Sequence, residues 1–189
     1  MPAARRHTKP LDLLALLGAE SIGVEARAGD SDHLALKVWL RLLACSTQIE
    51  TEIRRRLRAR FGITLPRVDD LAQLYRHPEG LRMSTLSRYM MVTGGNITGL
   101  TDELEKDGLV QREADASDRR SFRIRLTEPG RRAFERIAAE HEAWLVELMS
   151  GTGPAALEAL YEQLGELRVQ LARGNAPEPS TPETTKETP

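Results

Sequence analysis

The spacing of apolar residues predicts two helices in the first part of the chain. A long helix is expected to begin after a cap at Asp30, Ser31 or Asp32, and it becomes rich in arginine before residue 60. Its apolar stripe consists of Leu34, Val38, Leu42 and Cys45. A second helix is expected to begin at Pro66, because proline suits the first turn of a helix. Its apolar residues are Val68, Leu71, Leu74 and Tyr75.

Two short helices follow in the centre of the chain. The first breaks at Thr93-Gly94-Gly95, and the second is expected to have Thr93 or Asn96 as its N-cap. Gly108 stops the second helix, because glycine accepts the left-handed conformation that closes a helix. The first helix carries Leu86, Tyr89 and Met90, and the second carries Ile97, Leu100, Thr101 and Leu104 on one stripe.

A hairpin is predicted after these helices. Residues 109–112 and 121–127 are expected to form paired strands, joined by a polar loop at residues 114–120. In the second strand Arg123 and Arg125 share one face, and the opposite face is apolar. Two helices and a basic hairpin in this order are typical of a protein that binds DNA.

Two further amphipathic helices are predicted on either side of a break at residues 151–154. Together with the first long helix, they present more apolar surface than a small domain can cover. Self-association of the chain is therefore expected.

The composition limits the class of protein. The formal net charge is −1, so any DNA binding must come from a local basic patch, which the region Arg112 to Arg132 is expected to supply. The single cysteine, Cys45, excludes an internal disulfide and a Cys-rich zinc site. The sequence has no phosphate-binding loop, nucleophile motif or metal-ligand spacing, so no enzyme activity, cofactor or metal is expected. No apolar run has the length of a membrane span or the pattern of a signal peptide, and a cytoplasmic location is expected.

Three linked motifs resemble the MarR family of winged helix–turn–helix transcription regulators. They are the end of the recognition helix at Leu104–Arg112, the wing signature Asp118-Arg119-Arg120, and the step into the next helix at Leu126–Gly130. The resemblance covers residues 31–173. It implies a mainly α fold with a small antiparallel β-wing, whose first short strand lies at residues 79–82. N- and C-terminal dimerisation helices complete this fold.

The resemblance and the composition of the two ends together divide the chain into five segments. They are an N-terminal arm that can form a short helix (1–30), a first dimerisation helix (31–60), a winged helix–turn–helix DNA-binding domain (61–127), C-terminal dimerisation helices (128–173) and a disordered tail (174–189).

The partners that the resemblance implies are a second copy of the chain and a near-palindromic operator in double-stranded DNA. Asn96 and Thr98 are candidates for contacts with base edges, and Arg120 is a candidate for the minor groove. Gly99 departs from many relatives, which carry a longer side chain there. The other candidates are expected to contact the DNA backbone or to shape the wing. They are Ser84, Thr85, Ser87, Gly94, Gly95, Asp118 and Arg119.

The resemblance also implies a small-molecule effector, such as an aromatic acid or a coenzyme A thioester, that releases a repressor from DNA. An activator is an alternative, because the DNA-binding motif does not fix the sign of regulation. The candidate lining residues are His33, Trp39, Arg41, Tyr75 and Trp144, although core packing competes as an interpretation of the aromatic residues. A winged-helix module that binds protein and a redox sensor acting through Cys45 are further alternatives. The apolar stripe around Cys45 favours a place in the core.

Overall fold

The computed structural model describes residues 13–18, 22–27, 33–90, 94–115 and 118–174. The helices are α1 (Leu13–Leu17), α2 (Leu34–Phe61), α3 (Leu65–Arg76), α4 (Met83–Met90), α5 (Gly94–Lys106), α6 (Glu128–Leu148) and α7 (Pro154–Gly174), with a short 3-10 helix at Gly23–Arg27. The strands are β1 (Leu81–Arg82), β2 (Val110–Asp115) and β3 (Asp118–Leu126). The chain divides into two compact units, Met1–Leu145 and Val146–Pro189. The expected mainly α fold with a small antiparallel wing is confirmed.

The long helix α2 begins later than the sequence predicts. His33 is the residue at its N-cap, so the prediction of a cap at Asp30, Ser31 or Asp32 is wrong. At the other end Gly62 adopts a left-handed φ of 64° and its N–H donates to the Arg58 carbonyl at 3.1 Å, which closes the helix. Pro66 lies in the first turn of α3, as predicted.

Several predictions fall wholly or partly on residues outside the described ranges. The predicted arm is described only at residues 13–18 and 22–27, where α1 ends at Gly18 with a φ of 78°. Of the predicted tail, only Gly174 is described. Thr93, the predicted cap of α5, also lies outside, whereas Asn96 lies within the first turn of α5 and is therefore not its cap.

One apolar core joins α2, α3, α4, α5, α6 and the sheet in the first unit. Its buried residues are Ile53, Leu57, Ile63, Val68, Leu71, Leu74, Leu81, Leu86, Ile97, Leu104, Val110, Ile124 and Ile137. The predicted stripe of α5 is confirmed, because Ile97, Thr101 and Leu104 are all buried. The predicted stripe of α2 is different: Leu34, Val38 and Cys45 are exposed in the single chain, and the core interpretation of Cys45 is wrong there.

The sheet has the strand order β1-β3-β2, and both pairs are antiparallel. Leu81 of β1 lies opposite Ile124, which confirms the short first strand. The hairpin strands extend further towards the tip than predicted, because β3 already begins at Asp118, which pairs with Asp115. The expected loop at residues 114–120 is thus mostly strand.

A tight junction connects the end of α5, the sheet and the start of α6. The Thr127 N–H donates to the Leu109 carbonyl at 3.0 Å, and its hydroxyl donates to the Gly108 carbonyl at 2.6 Å. The same hydroxyl accepts the Gly130 N–H at 3.0 Å, so Thr127 also caps α6. Gly130 lies so close that a Cβ there would be 1.8 Å from the Leu109 carbonyl oxygen.

We therefore expect Gly130→Ala to destabilise the protein by about 1–3 kcal/mol or more, because the methyl group overlaps backbone rather than a movable side chain. Thermal unfolding measures this loss. Gly99→Ala is the matched control: it is also a helical glycine, but a Cβ there meets nothing within 4 Å. The control is expected to raise stability by about 0.5–1 kcal/mol. Equal melting temperatures for the two variants would contradict the close contact at Gly130.

Candidate nucleic-acid interface

The helix α5 has one buried face and one exposed face. Gly95, Asn96, Thr98 and Gly99 all lie on the exposed face, near the N-terminal end of the helix. Gly94 is the first residue of the helix. The predicted base-contacting residues are thus brought together at one end of one helix. Unpaired backbone N–H groups at such an end favour an anion.

Neither Gly95 nor Gly99 is required by the packing of this chain. Both lie in a helix without a left-handed φ, and a Cβ at either position would meet nothing within 4 Å. Each glycine costs about 0.5–1 kcal/mol of helix stability relative to alanine. No contact within the described residues offsets this loss of helix stability. The two glycines therefore favour a partner surface that approaches α5 closely from outside the chain.

The helix α4 precedes α5 in the helix–turn–helix. Ser84 is exposed, whereas Thr85 and Ser87 are half-buried. At the C-terminal end of α4, the Tyr89 ring stacks on His77 with ring centroids 5.6 Å apart. This contact joins α4 to the segment after α3. The residues predicted to contact the DNA backbone therefore lie on a helix that is held in place at its C-terminal end.

The wing signature Asp118-Arg119-Arg120 occupies the first residues of β3. Its backbone lies at the tip of the hairpin, where Asp118 pairs with Asp115 across the strands. The placement of the Arg119 and Arg120 side chains, and the predicted pairing of Asp118 with Arg119, lie outside what the structure describes.

Most of the other arginines expected to form a basic patch have partners within the chain. Arg125 pairs with Glu113 at 3.1 Å, Arg132 pairs with Glu128 at 2.9 Å, and Arg123 donates to the Gly80 carbonyl at 3.0 Å. These contacts are pairings that the one-dimensional sequence does not reveal. At these described positions the patch between Arg112 and Arg132 is therefore less cationic than predicted.

Arg112 is a structural clamp on α5. Its guanidinium pairs with both Asp102 and Glu105, and its backbone N–H donates to Glu105 at 3.2 Å. The hydrogen bond that Arg112 donates to the Asp102 carboxylate is the main cause that raises the pKa of Arg112 above its usual value. On the other side of the helix, Arg67 of α3 pairs with Asp107. The two arginines hold α5 against the wing and against α3.

A buried polar pair that the sequence pattern missed lies between α3 and α5. Asp70 and Thr101 are both 0% exposed, and their side-chain oxygens are 3.5 Å apart. Burial raises the pKa of the Asp70 carboxyl from 3.8 to about 7, and the Thr101 hydroxyl acts in the opposite direction. Asp70 follows another aspartate in the sequence, and the exposed Asp69 gives no signal that its neighbour is buried.

The predicted effector-lining residues fall into separate groups. Tyr75 packs on Phe134 with ring centroids 4.8 Å apart, and its hydroxyl donates to Glu135 at 3.1 Å. Trp144 lies 6.2 Å from the Phe61 ring, at the end of α2. His33, Trp39 and Arg41 lie at the start of α2, where Arg41 pairs with Glu25 at 2.7 Å.

Distance along α2 separates these groups. Trp39 and Phe61 are about 33 Å apart at 1.5 Å per residue. Trp39 and Trp144 therefore do not line one cavity within a single chain, and the effector lining between dimer helices and winged domain stays a prediction. Among the described residues no cluster of side chains could hold a metal ion, and no helix is long and apolar enough to cross a membrane.

Comparison with known proteins agrees with this geometry. Residues 63–122 match the model of the MarR family. The transcriptional activatory protein BadR of Rhodopseudomonas palustris is 30% identical over 125 residues, which are 65% of this chain and 71% of BadR. A MarR family transcriptional regulator from Silicibacter pomeroyi has a crystal structure with a TM-score of 0.62 and 30% identity, and the match covers 78% of this chain and 100% of that one. CouR from Rhodococcus jostii RHA1, solved with bound p-coumaroyl-CoA, has a TM-score of 0.60 and 26% identity over 72% of this chain and 95% of CouR.

Proposed function

Because the chain belongs to the MarR family of transcriptional regulators, we propose that it binds a near-palindromic operator as a homodimer and represses transcription until a small molecule releases it. The exposed N-terminal end of α5 is the observation that carries this proposal. It presents Asn96 and Thr98 beside two glycines that the fold does not need. Asparagine can form a bidentate pair with adenine, and the threonine methyl group can contact thymine.

The wing supplies the second contact with DNA. Arg119 and Arg120 begin the strand at the hairpin tip, and several other arginines of this region are paired within the chain. In this proposal Arg120 enters the minor groove, where narrow A·T-rich tracts attract arginine. Ser84, Thr85 and Ser87 of α4 contact the DNA backbone and fix the register of α5.

Exposed apolar side chains support a dimer. In α2, Leu34 is 74% and Trp39 is 59% exposed, and in α7 Tyr161 is 81% and Leu171 is 58% exposed. Large apolar surfaces of this kind are typical of an interface. A second copy that covers them gives a two-fold dimer, which places two recognition helices about 34 Å apart on one face of B-DNA.

An effector completes the proposal. CouR was solved with an aromatic coenzyme A thioester, and we take this class of molecule, with the free aromatic acids, as the effector. A ligand that binds more tightly to a dimer with misplaced recognition helices must weaken DNA binding. By linkage, DNA weakens the binding of that ligand by the same coupling free energy. Activation is the alternative to repression that the experiment must distinguish, because BadR is named an activatory protein.

We expect the wild-type protein to prefer the DNA upstream of its own gene over an unrelated duplex, with affinity that falls steeply with salt. Fluorescence anisotropy across a salt series measures both properties.

Arg120→Ala should weaken specific binding by about 1–3 kcal/mol. Arg132→Ala is the matched control, because Arg132 already pairs with Glu128 in α6. Equal affinities of the two variants would remove the wing from the DNA interface. Weak and equal binding of wild type to both duplexes would favour the protein-binding alternative.

Gly99→Ala should change stability and DNA affinity in opposite directions. The new methyl group is expected to raise the free energy of unfolding by about 0.5–1 kcal/mol. It should also separate α5 from the base edges and weaken operator binding by about 1–3 kcal/mol. The unrelated duplex is the control and should show little change. A variant that gains stability and keeps full operator affinity would show that DNA does not approach this face closely.

Aromatic acids and their coenzyme A thioesters should displace the operator in the same anisotropy experiment, by about 1–3 kcal/mol of coupling. A promoter–reporter assay with and without the gene then gives the sign of regulation. Higher reporter output without the gene supports repression, and lower output supports activation. Operator binding that no compound of either class alters would contradict the effector part of the proposal.

A further inference from the structure

Asp70 and Thr101 form a fully buried polar contact in the interface between α3 and α5. Asp70 is fully buried, and its Oδ1 has no hydrogen-bond partner among the described residues. Its Oδ2 lies 3.5 Å from the Thr101 hydroxyl. The neighbouring residues on the two helices are apolar; they include Leu71, Leu74, Ile97 and Leu104. An ionised carboxylate here would lack nearly all the hydrogen bonds that water supplies.

The hydrogen bonds of Thr101 indicate which form of Asp70 fits. The Thr101 hydroxyl has a single proton, and the Ile97 carbonyl one turn earlier accepts it at 2.9 Å. The same hydroxyl lies 3.5 Å from Asp70 Oδ2, which is too long for a second strong hydrogen bond from one proton. It therefore stabilises an ionised Asp70 carboxylate only weakly. The geometry fits the neutral form of this buried carboxyl better than the ionised form.

Among the described residues, no charged side chain offsets a negative charge on Asp70. Burial is the larger influence on its pKa, and the Thr101 hydroxyl is the other. Charged groups on α3 and on the elements that pack against it are engaged elsewhere or exposed. They include Arg67 with Asp107 and Glu103, Arg54 with Glu50, Arg112 with Asp102 and Glu105, Arg123 with the Gly80 carbonyl, Arg125 with Glu113, Arg88 over Tyr89, and the exposed Asp69, Arg76 and Lys106. On α6, Arg131 lies over the Tyr75 ring, Glu135 accepts from the Tyr75 hydroxyl, and His141 acts on Asp69.

We infer that Asp70 is a proton-dependent positioning residue for the recognition helix: its neutral carboxyl holds α5 on α3 in the DNA-binding position, and loss of the proton to solvent releases α5. The inference rests on the proposed role of α5 in DNA binding. It assigns a pH response to the operator complex that is independent of any effector.

The sign of the response follows from linkage. The pKa of Asp70 is about 7 when α5 is packed, and the usual value is 3.8 when water reaches the carboxyl. Between these values the released form binds fewer protons than the packed form. Raising the pH through this window therefore favours release, by up to about tenfold per pH unit, and the effect levels off above the higher pKa. DNA affinity should fall as pH rises towards neutrality.

The test compares wild type with Asp70→Asn by anisotropy on the operator duplex, at constant ionic strength from about pH 5.5 to pH 8.5. The asparagine amide can donate to Thr101 at every pH, so this variant imitates the neutral acid. We expect the wild-type Kd to rise about threefold or more relative to that of Asp70→Asn over this range. Asp70→Asn leaves every other ionisable group of the protein in place, so their contributions cancel in the comparison. The matched control, Asp69→Asn, removes the exposed neighbouring carboxyl and should keep the wild-type profile.

A second measurement does not depend on the folding of a variant. Carbon-13 NMR of the Asp70 carboxyl in the wild-type protein reports its protonation in the free and DNA-bound states. We expect a titration midpoint well above the usual 3.8, and a higher midpoint in the complex than in the free protein. A carboxyl in the complex that is already ionised at about pH 5 would overturn the inference.

The outcomes separate this inference from the proposed function. Preferential operator binding with superimposable pH profiles for wild type and Asp70→Asn would overturn the inference alone. Absence of preferential binding by the wild type at every pH would overturn the proposed function and the inference with it.

Discussion

The position of α5 depends on the burial of its inner face. Ile97 and Leu104 are almost completely removed from solvent and belong to the same core as residues of α3, α4 and the sheet. Apolar burial sets the distance of the helix from this core, but it is not directional. Direction comes from polar contacts at the edges, where Arg112 holds α5 to β2 and Arg67 holds it to α3. The exposed face presents Gly95, Asn96, Thr98 and Gly99 away from this core.

The local pattern of the chain predicts the parts of this arrangement that depend on neighbours in sequence. The stripe of α5 follows from helical spacing, and its end follows from Gly108, which has a left-handed φ of 71°. The short strand β1 and the hairpin were also predictable, the former through the likeness of the motifs to a known family. The hairpin tip was not, because the Asp115–Asp118 pairing extends a ladder whose polar residues favour a loop when taken alone.

Contacts between residues distant in sequence could not be predicted in this way. Arg112 and Arg125 have the same local character in the sequence, and only the fold brings carboxylates to both of them. Asp70 illustrates the opposite case, in which the fold removes a carboxyl from water and leaves it with a hydroxyl as its partner. The charge that matters for DNA binding is thus the charge left after internal pairing. A count of basic residues overstates it.

Thr127 connects the hairpin to α6 so that the two elements move together. The residue hydrogen-bonds to the turn after α5 and also caps α6, and Gly130 leaves no space at the joint for an independent hinge. A nine-residue strand such as β3 is about 30 Å long, so a rotation of about 5° at the joint moves its far end by about 2.5 Å. That displacement is comparable to the length of a hydrogen bond. A small tilt of α6 would thus be enough to withdraw the wing tip from the DNA groove that we propose it enters.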